Sequence, residues 1–206
     1  CESPIYNHGG IGKMGKGIDS LKTRKRSEKL AFLEVKTDST SKYVRLEGFT
    51  TQTFNANASE YSRQYVDEDT ERTDVKSYAE SINYAFDQYV GQEALEEIVK
   101  ITENELTGFD AVRKIIVADM ATLTGSGDKV PTYSAEATVR SYTIVPSSNG
   151  DTTDSMTYSG DFKSRGAKTK CRVSFDSDFQ TVKIVAESTV ASQSAKSTEK
   201  NVEVKK

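Results

Sequence analysis

The sequence predicts a mainly β protein: an antiparallel β-sandwich or open barrel with one flanking α-helix and extended arms. About seven short segments rich in β-branched and aromatic residues alternate with polar turns, which is typical of an antiparallel β fold. One further segment places apolar residues at helical spacing. The chain has 206 residues, 35% of them hydrophobic, which is enough for one ordinary core.

The first predicted element is a basic, glycine-rich N-terminal arm over residues 1–28. The stretch from Gly9 to Gly17 contains five glycines, and residues 1–29 contain seven bases and three acids. Residues Gly10–Gly15 match GxGxxG, but a phosphate-binding loop needs a strand before it and a helix after it, and neither is predicted here. We therefore expect these glycines to let the arm bend against a neighbour.

Two strands or a hairpin are predicted next, where the folded domain begins at residue 29. An apolar run from Leu30 to Val35 is followed by a Ser/Thr-rich turn at 37–42 and then by apolar residues from Tyr43 to Phe49. Residues 55–74 follow and have no clean period, so they predict a long exposed loop. Loops of this length inside a compact domain are often functional.

The loop is part of an acidic middle region, because residues 60–110 carry fourteen acids and four bases. Within it, Asp67, Glu68 and Asp69 form a dense acidic cluster. An EF-hand would need a glycine at its sixth position and a closing Glu at its twelfth, and both are missing. We therefore expect a charged loop here and no metal site.

A strand over residues 76–86 and a helix over residues 92–102 follow. In the strand, Tyr78, Ile82, Tyr84 and Phe86 are predicted to share one face. In the helix, Leu95, Ile98, Val99 and Thr102 recur at spacings of three and four, which predicts a core-facing stripe. The outer face is assigned to Glu93, Glu96, Glu97 and Lys100.

The rest of the chain predicts further short strands and a polar C-terminal tail or arm over residues 188–206. A turn is predicted at residues 147–151, where the sequence reads Ser-Ser-Asn-Gly-Asp. The strands are predicted at Lys114–Met120, Tyr133–Val145, Met156–Phe162, Thr169–Phe175 and Thr181–Ala186.

Several function classes are disfavoured by what the sequence lacks. His8 is the only histidine, and it lies in the glycine arm, so the sequence contains no Ser-His-Asp or Cys-His arrangement of the usual kind. Cys1 and Cys171 are the only cysteines, so no Cys/His zinc site is predicted. No apolar stretch approaches 18 residues, so no spanning helix or membrane partner is predicted. We expect neither an enzyme nor a cofactor, and we assign no catalytic, cofactor-binding or metal-binding residues.

Between residues 60 and 120 the sequence contains, in order, a loop with paired tyrosines (Tyr61 and Tyr65), a Tyr/Phe strand at Tyr78–Tyr89, an amphipathic helix, a Glu-Leu-Thr-Gly turn at 105–108 and a hydrophobic strand at Arg113–Asp119. This order of short motifs resembles that of the major tail (tail tube) proteins of long-tailed phages and prophages of Gram-positive bacteria. The resemblance covers about 60 residues well and the β-rich part after residue 130 more loosely.

The resemblance implies a β-sandwich tube domain over residues 29–187 that assembles as hexameric rings. Stacked rings would form a tube whose channel passes double-stranded DNA, without sequence recognition, into the host. It also implies contacts with a tape-measure protein inside the tube and with tail-terminator and distal-tail proteins at its ends. The protein would then be in the virion tail, and in the host cytoplasm during assembly. Contractile tails and tail-like bacteriocins share this tube fold.

By analogy with the family, the 55–74 loop is expected to reach a neighbouring ring. Its inter-subunit contact residues would be Tyr61, Tyr65, Asp67, Glu68 and Asp69, with the three acids meeting the basic arm at Arg24, Lys25 and Arg26. The alternative from another function class is a secreted or lipid-anchored surface β-domain with an adhesion role, attached through Cys1. A nucleic-acid-binding role through the basic arm is disfavoured by the net charge of −3.

Overall fold

The computed structural model describes residues 23–37, 40–126, 132–151 and 155–188. These residues form ten antiparallel strands, one α-helix and a short 3-10 turn at Arg26–Glu28. The strands are β1 (Lys29–Lys36), β2 (Ser41–Arg45), β3 (Phe49–Asn55), β4 (Ala58–Arg63), β5 (Arg72–Tyr78), β6 (Ser81–Asp87), β7 (Val112–Ser126), β8 (Thr132–Asp151), β9 (Met156–Phe175) and β10 (Thr181–Ser188), and the helix α1 is Glu93–Glu103. The mainly β prediction with one helix is confirmed.

Six strands close into a barrel in the order β10-β2-β1-β7-β8-β9, because β10 pairs with both β2 and β9. The interior of the barrel is filled by alternating residues from its strands. Its fully buried members include Phe32, Ile116, Ala135 and Val173. The rings of Phe32 and Phe175 pack at 5.9 Å between centroids. The barrel therefore has its own apolar core.

The first half of β9 leaves the barrel and continues into a second, four-stranded sheet. There β9 pairs with β6, β6 pairs with β3, and the last part of β8 pairs with β9 on the other side, giving the order β3-β6-β9-β8. The bend falls where the β8–β9 register shifts between Val139 and Ser141. Gly166 has φ +85 in this stretch of β9, a conformation that L side chains rarely adopt.

Helix α1 covers one side of the sheets and completes a second core. Leu95 and Ile98 are fully buried and Val99 nearly so, which confirms three of the four residues predicted for the core stripe. The fourth, Thr102, is half-buried. They pack with residues of β1, β6, β8 and β9, including Leu33, Ile82 and Phe162. β1 is buried on both faces, since Phe32 points into the barrel and Leu33 contacts the core under the helix.

One residue assigned to the outer face of the helix is buried. Glu97 and Arg113 are each 4% exposed and form an ion pair, with Arg113 Nε donating to Glu97 Oε1 at 2.7 Å. The same guanidinium donates to the backbone oxygens of Asp110 and Val112 at 2.7 and 2.8 Å. These bonds satisfy the charges, which is why a glutamate can lie on the buried side.

Several other predictions differ from the structure. The two strands predicted at Met156–Phe162 and Thr169–Phe175 are one continuous strand, β9. The stretch predicted as a loop over 55–74 is mostly the hairpin β4–β5, and only residues 64–71 connect the two strands. The strand predicted over 76–86 is two strands, β5 and β6, so Tyr78 does not share the buried face of Ile82. Residues 147–151 extend β8, because long cross-strand pairing with β9 continues through them. The helix also begins and ends one residue later than predicted.

Candidate functional site

The hairpin β4–β5 is the region whose conformation is least accounted for by packing within the chain itself. It forms a separate two-stranded sheet, and every residue of both strands is exposed. Tyr61, Val75 and Tyr78 are 45%, 52% and 62% exposed. An isolated two-stranded hairpin is at best marginally stable in water. The exposed aromatic and aliphatic side chains therefore form a surface suited to contact with another molecule.

One face of the hairpin carries a ladder of stacked tyrosine and arginine side chains. The Arg63 guanidinium lies over the rings of Tyr61 and Tyr65, at 5.5 and 5.9 Å from their centroids. Arg72 lies 5.9 Å from the Tyr65 centroid and also pairs with Glu68. We call Tyr61, Arg63, Tyr65 and Arg72 the Tyr–Arg ladder. Such side chains are enriched in protein interfaces because they combine a large apolar surface with directional hydrogen bonds.

The connection between the strands of the hairpin, residues 64–71, is internally hydrogen-bonded. Glu68 N donates to the Tyr65 backbone oxygen at 3.1 Å, and Gln64 Nε2 donates to the Glu68 backbone oxygen at 3.2 Å. We call residues 64–71 the acidic tip. These bonds hold the tip in one shape, with Asp67 and Asp69 exposed.

The root of the hairpin is fixed to the body by Asn57 and Glu80. Asn57, at φ 44, donates from Nδ2 to the Ala79 backbone oxygen at 3.0 Å and to Ser81 Oγ at 2.9 Å. Glu80 accepts hydrogen bonds from Tyr142 and Lys168, and Arg140 lies 3.8 Å from its carboxylate. These contacts join the root of the hairpin to β6, β8 and β9.

Glu80 stays ionised because the surrounding donors outweigh its burial. Burial alone would raise the pKa of Glu80, but the hydrogen bonds from Lys168 and Tyr142, together with the charges of Lys168 and Arg140, hold it below its ordinary value. The pKa of Tyr142 is raised, first by burial and then by the adjacent carboxylate. The root is thus a charged network that tolerates partial burial.

The four-stranded sheet has an open edge on each side within the described residues. On one side, β3 pairs with β6 and with no other described strand. On the other side, β8 is covered up to Ile144, whose N–H donates to the Ala111 oxygen at 2.9 Å, and residues 145–150 are all exposed. We call β3 and residues 145–151 the two open edges. Open edges present unpaired backbone groups to a possible partner strand.

The basic residues Arg24 and Arg26 contact the body of their own chain. Arg24 pairs with Asp119 and Glu28, and its hydrogen bond to Asp119 is the main cause that lowers the pKa of that carboxyl. Arg26 donates from its guanidinium to the backbone oxygen of Gln52, in the edge strand β3, at 2.8 Å. Lys25 lies between them and is exposed. Residues 1–22 of the predicted arm, with His8 and the GxGxxG match, lie outside the described residues.

The structure thus groups some of the predicted contact residues and separates others. Tyr61, Tyr65 and Glu68 come together in the hairpin through Arg63 and Arg72. Arg24 and Arg26 instead contact Asp119 and Gln52. Sequence reasoning missed Arg63, Arg72 and Glu80. The alternation of tyrosine and arginine at 61, 63 and 65 was the available signal for a strand with a distinct face.

Side-chain clusters and cavities among the described residues bear on ligand binding. They contain no group of three or more His, Cys, Asp or Glu side chains placed to hold a metal ion. A cavity of about 480 Å³ lies among the barrel strands, with Asp119, Glu136 and Arg172 in its lining. In the part of the chain that is described, no helix has the length and apolar character needed to cross a bilayer.

Comparison with known proteins finds similar solved structures at low sequence identity. No protein-family model matches the sequence, and no curated protein sequence matches it. One similar solved structure is a chain in the tail of an empty GTA particle refined with helical C6 symmetry, at 11% identity and TM-score 0.49, covering 71% of this chain and 97% of that one. Another is a chain in the six-fold symmetrised baseplate of the anti-feeding prophage (AFP), at 8% identity and TM-score 0.41, covering 74% and 97%.

Proposed function

We propose that this chain is a structural subunit of a phage tail tube, of the kind made by long-tailed phages and prophages of Gram-positive bacteria. Copies would form hexameric rings, and stacked rings would enclose a channel for double-stranded DNA. The resemblance of residues 60–120 to that family supports the proposal. The turn at 105–108 that belongs to the resemblance is a backbone feature of the fold, with Glu105 at φ 48 and Gly108 at φ 61.

The observation that carries the proposal is the pair of open edges on opposite sides of one sheet. β3 and residues 145–151 border the same four-stranded sheet. If the β3 edge of one copy pairs with the 145–151 edge of the next, the contact is head-to-tail, and it closes into a ring when the rotation between copies allows it. Ring closure would leave no open edge in this sheet, which removes the aggregation hazard of exposed strands.

The hairpin and the basic N-terminal segment are the proposed contacts between copies. In the hairpin these are Tyr61, Tyr65, Asp67, Glu68 and Asp69, since its exposed surface has no partner of comparable size within the described chain. In the N-terminal segment they are Arg24, Lys25 and Arg26. Arg26 reaches the backbone of the edge strand β3, so a copy docking on that edge would meet this segment.

The remaining partners of the proposal follow from the resemblance. A tape-measure protein would occupy the channel during assembly, and tail-terminator and distal-tail proteins would cap the tube. DNA would pass through transiently, and the acid-rich region 60–110 suits a channel that does not retain phosphate. The subunit would act without catalysis or cofactor, in the cytoplasm during assembly and afterwards in the virion.

Negative-stain electron microscopy of the purified chain, over a range of protein concentrations at moderate salt, tests the proposal. We expect rings with six-fold symmetry, or tubes of uniform width, whose abundance rises with concentration. A field of monomers at every concentration, with sedimentation velocity giving only the 22.7 kDa species, would contradict self-assembly and favour the surface-domain alternative.

A further inference from the structure

The acidic tip of the hairpin carries charge that its own chain only partly neutralises. Residues 64–71 contain four acids and no base. Glu68 pairs with Arg72 within the hairpin, and Asp67, Asp69 and Glu71 are exposed. The Tyr–Arg ladder and the tip hydrogen bonds hold these carboxylates on a preformed surface. A preformed charged tip loses little conformational entropy on docking.

A surface of opposite charge lies on β9, in the stretch where the strand bends between the two sheets. Residues 163–172 contain five bases and no acid, and all five side chains are exposed. We call this stretch the basic segment. Lys163 pairs with Asp161 at 2.8 Å, and Lys168 pairs with Glu80. The Arg165 guanidinium lies 4.4 Å from the Phe109 ring centroid, and Arg172 donates to Thr124 Oγ1 at 2.9 Å. Because these two contacts are with an aromatic ring and a hydroxyl, Arg165 and Arg172 each keep a full positive charge at the surface.

Within one chain, the acidic tip and the basic segment form their ion pairs with different residues. Glu68 of the tip pairs with Arg72, whereas Lys163 and Lys168 of the basic segment pair with Asp161 and Glu80. A chain that exposes two complementary surfaces, each incompletely neutralised, can satisfy both by a head-to-tail contact with another copy.

We propose that the acidic tip of one copy docks on the basic segment of β9 in a second copy. This inference rests on the proposed self-assembly and names the surface that receives the hairpin. It differs from the pairing with Arg24–Arg26 expected from sequence, because Arg24 and Arg26 already contact Asp119 and Gln52 in their own chain. Phe109, 76% exposed beneath Arg165, supplies an apolar neighbour for the tyrosines of the ladder.

Charge-reversal substitutions in the acidic tip and in the basic segment test the inference. A tip-reversed variant carries Asp67→Lys and Asp69→Lys, and a segment-reversed variant carries Lys163→Glu and Arg165→Glu. All four side chains are exposed, so each variant should fold, which circular dichroism and the melting temperature check. Sedimentation velocity then measures self-association against concentration and salt.

We expect each reversed variant alone to associate at least about tenfold more weakly than the wild type, because like charges meet at the contact. An equimolar mixture of the two should recover association, since each altered surface finds its complement in the other variant. A control with Lys114→Glu and Lys183→Glu changes the net charge as the segment-reversed variant does, at exposed sites on β7 and β10. It should associate like the wild type.

The outcomes separate the inference from the proposed function. If the wild type associates and the segment-reversed variant associates equally well, the docking assignment is overturned while self-assembly stands. Loss of association that the mixture does not recover would also overturn it. If the wild type itself stays monomeric at every concentration and salt, the proposed function fails, and the inference fails with it.

Discussion

The body of the molecule and the hairpin β4–β5 belong to one chain but differ in how much of their side chains is buried. The body buries two apolar cores, one inside the barrel and one under α1. The hairpin buries none of its strand residues and is held by its own ladder, its tip and its root. The two apolar cores of the body are complete within one chain, whereas the hairpin and the open edges are the parts that the proposed assembly would complete with other copies.

The largest expected effect comes from breaking the core under the helix. Ile98 is fully buried in α1, so Ile98→Asp places an unpaired charge among apolar side chains. We expect loss of the fold, at a cost of several kcal/mol, seen as loss of the cooperative thermal transition. Ile98→Val, the matched control, should cost about 1 kcal/mol. A soluble Ile98→Asp protein with an unchanged melting temperature would contradict the helix packing described here.

The next effect concerns close packing within the second sheet. A Cβ at Gly160 would lie 2.5 Å from the Val145 backbone oxygen and 2.6 Å from the Tyr84 hydroxyl. We expect Gly160→Ala to destabilise the protein by about 1–3 kcal/mol, measured by urea denaturation. Gly150→Ala is the control, because a Cβ there meets no atom within 4 Å. Equal stability of the two variants would show that this sheet is packed more loosely than the structure indicates.

In the hairpin, substitutions of large side chains should weaken assembly and leave the stability of the fold unchanged. Tyr61→Ser with Tyr65→Ser removes two half-exposed rings that pack on no core. We expect the free energy of unfolding to change by less than about 0.5 kcal/mol. Self-association, measured by sedimentation, should weaken by about tenfold or more. Tyr89→Ser, at a comparably exposed ring outside the hairpin, serves as control. Equal association of both variants would remove the hairpin from the contact.

The basic residues that precede β1 should have a smaller effect on assembly than the hairpin tyrosines. Arg24→Gln, Lys25→Gln and Arg26→Gln together remove the contacts to Asp119 and to the β3 backbone. We expect folded monomers that polymerise more slowly, because surface ion pairs add little stability while the segment adjoins an open edge. The control removes three exposed bases elsewhere, Lys36, Lys114 and Lys183. Tubes as long as those of the wild type, at equal concentration, would refute a role for this segment.

The smallest expected effect is a pH dependence at the hairpin root. The folded-state pKa of Glu80 is lowered, so its contribution to stability is present above the ordinary glutamate pKa and is lost as the pH falls through the folded value. Below about pH 4, limited proteolysis of the hairpin should therefore accelerate before the body unfolds. In Glu80→Gln this step should be absent. A hairpin that stays equally resistant down to the acid unfolding of the body would contradict the role of Glu80.

The comparison also explains what could be predicted from the sequence. The helix and most strands of the body were predicted correctly in type, because their apolar residues follow helical or alternating spacing imposed by a core. Strand β3 and the end of β8, at residues 147–151, were not predicted as strands. The hairpin was predicted as a loop because it has no core to impose such spacing. The burial of Glu97 was missed because its partner, Arg113, is 16 residues away and only the fold brings the two together.

The contact residues show the same limit. Tyr61 and Tyr65 were selected through the family resemblance, but their stacking with Arg63 and Arg72 depends on the pairing of β4 with β5. The two open edges could not be predicted, since they follow from the order of strands in the sheet. The basic segment of β9 is visible in sequence as a run of bases, and its bend and exposure come from the structure.

Hydrogen–deuterium exchange of the chain in dilute and in concentrated, assembled solution tests the central claim most directly. We predict that assembly slows exchange selectively in β3, in residues 58–78 and in residues 145–151, while the amides of α1 and the barrel core keep their protection. Unchanged exchange in these three segments, in samples that electron microscopy shows to be assembled, would contradict the claim that other copies complete the hairpin and the open edges.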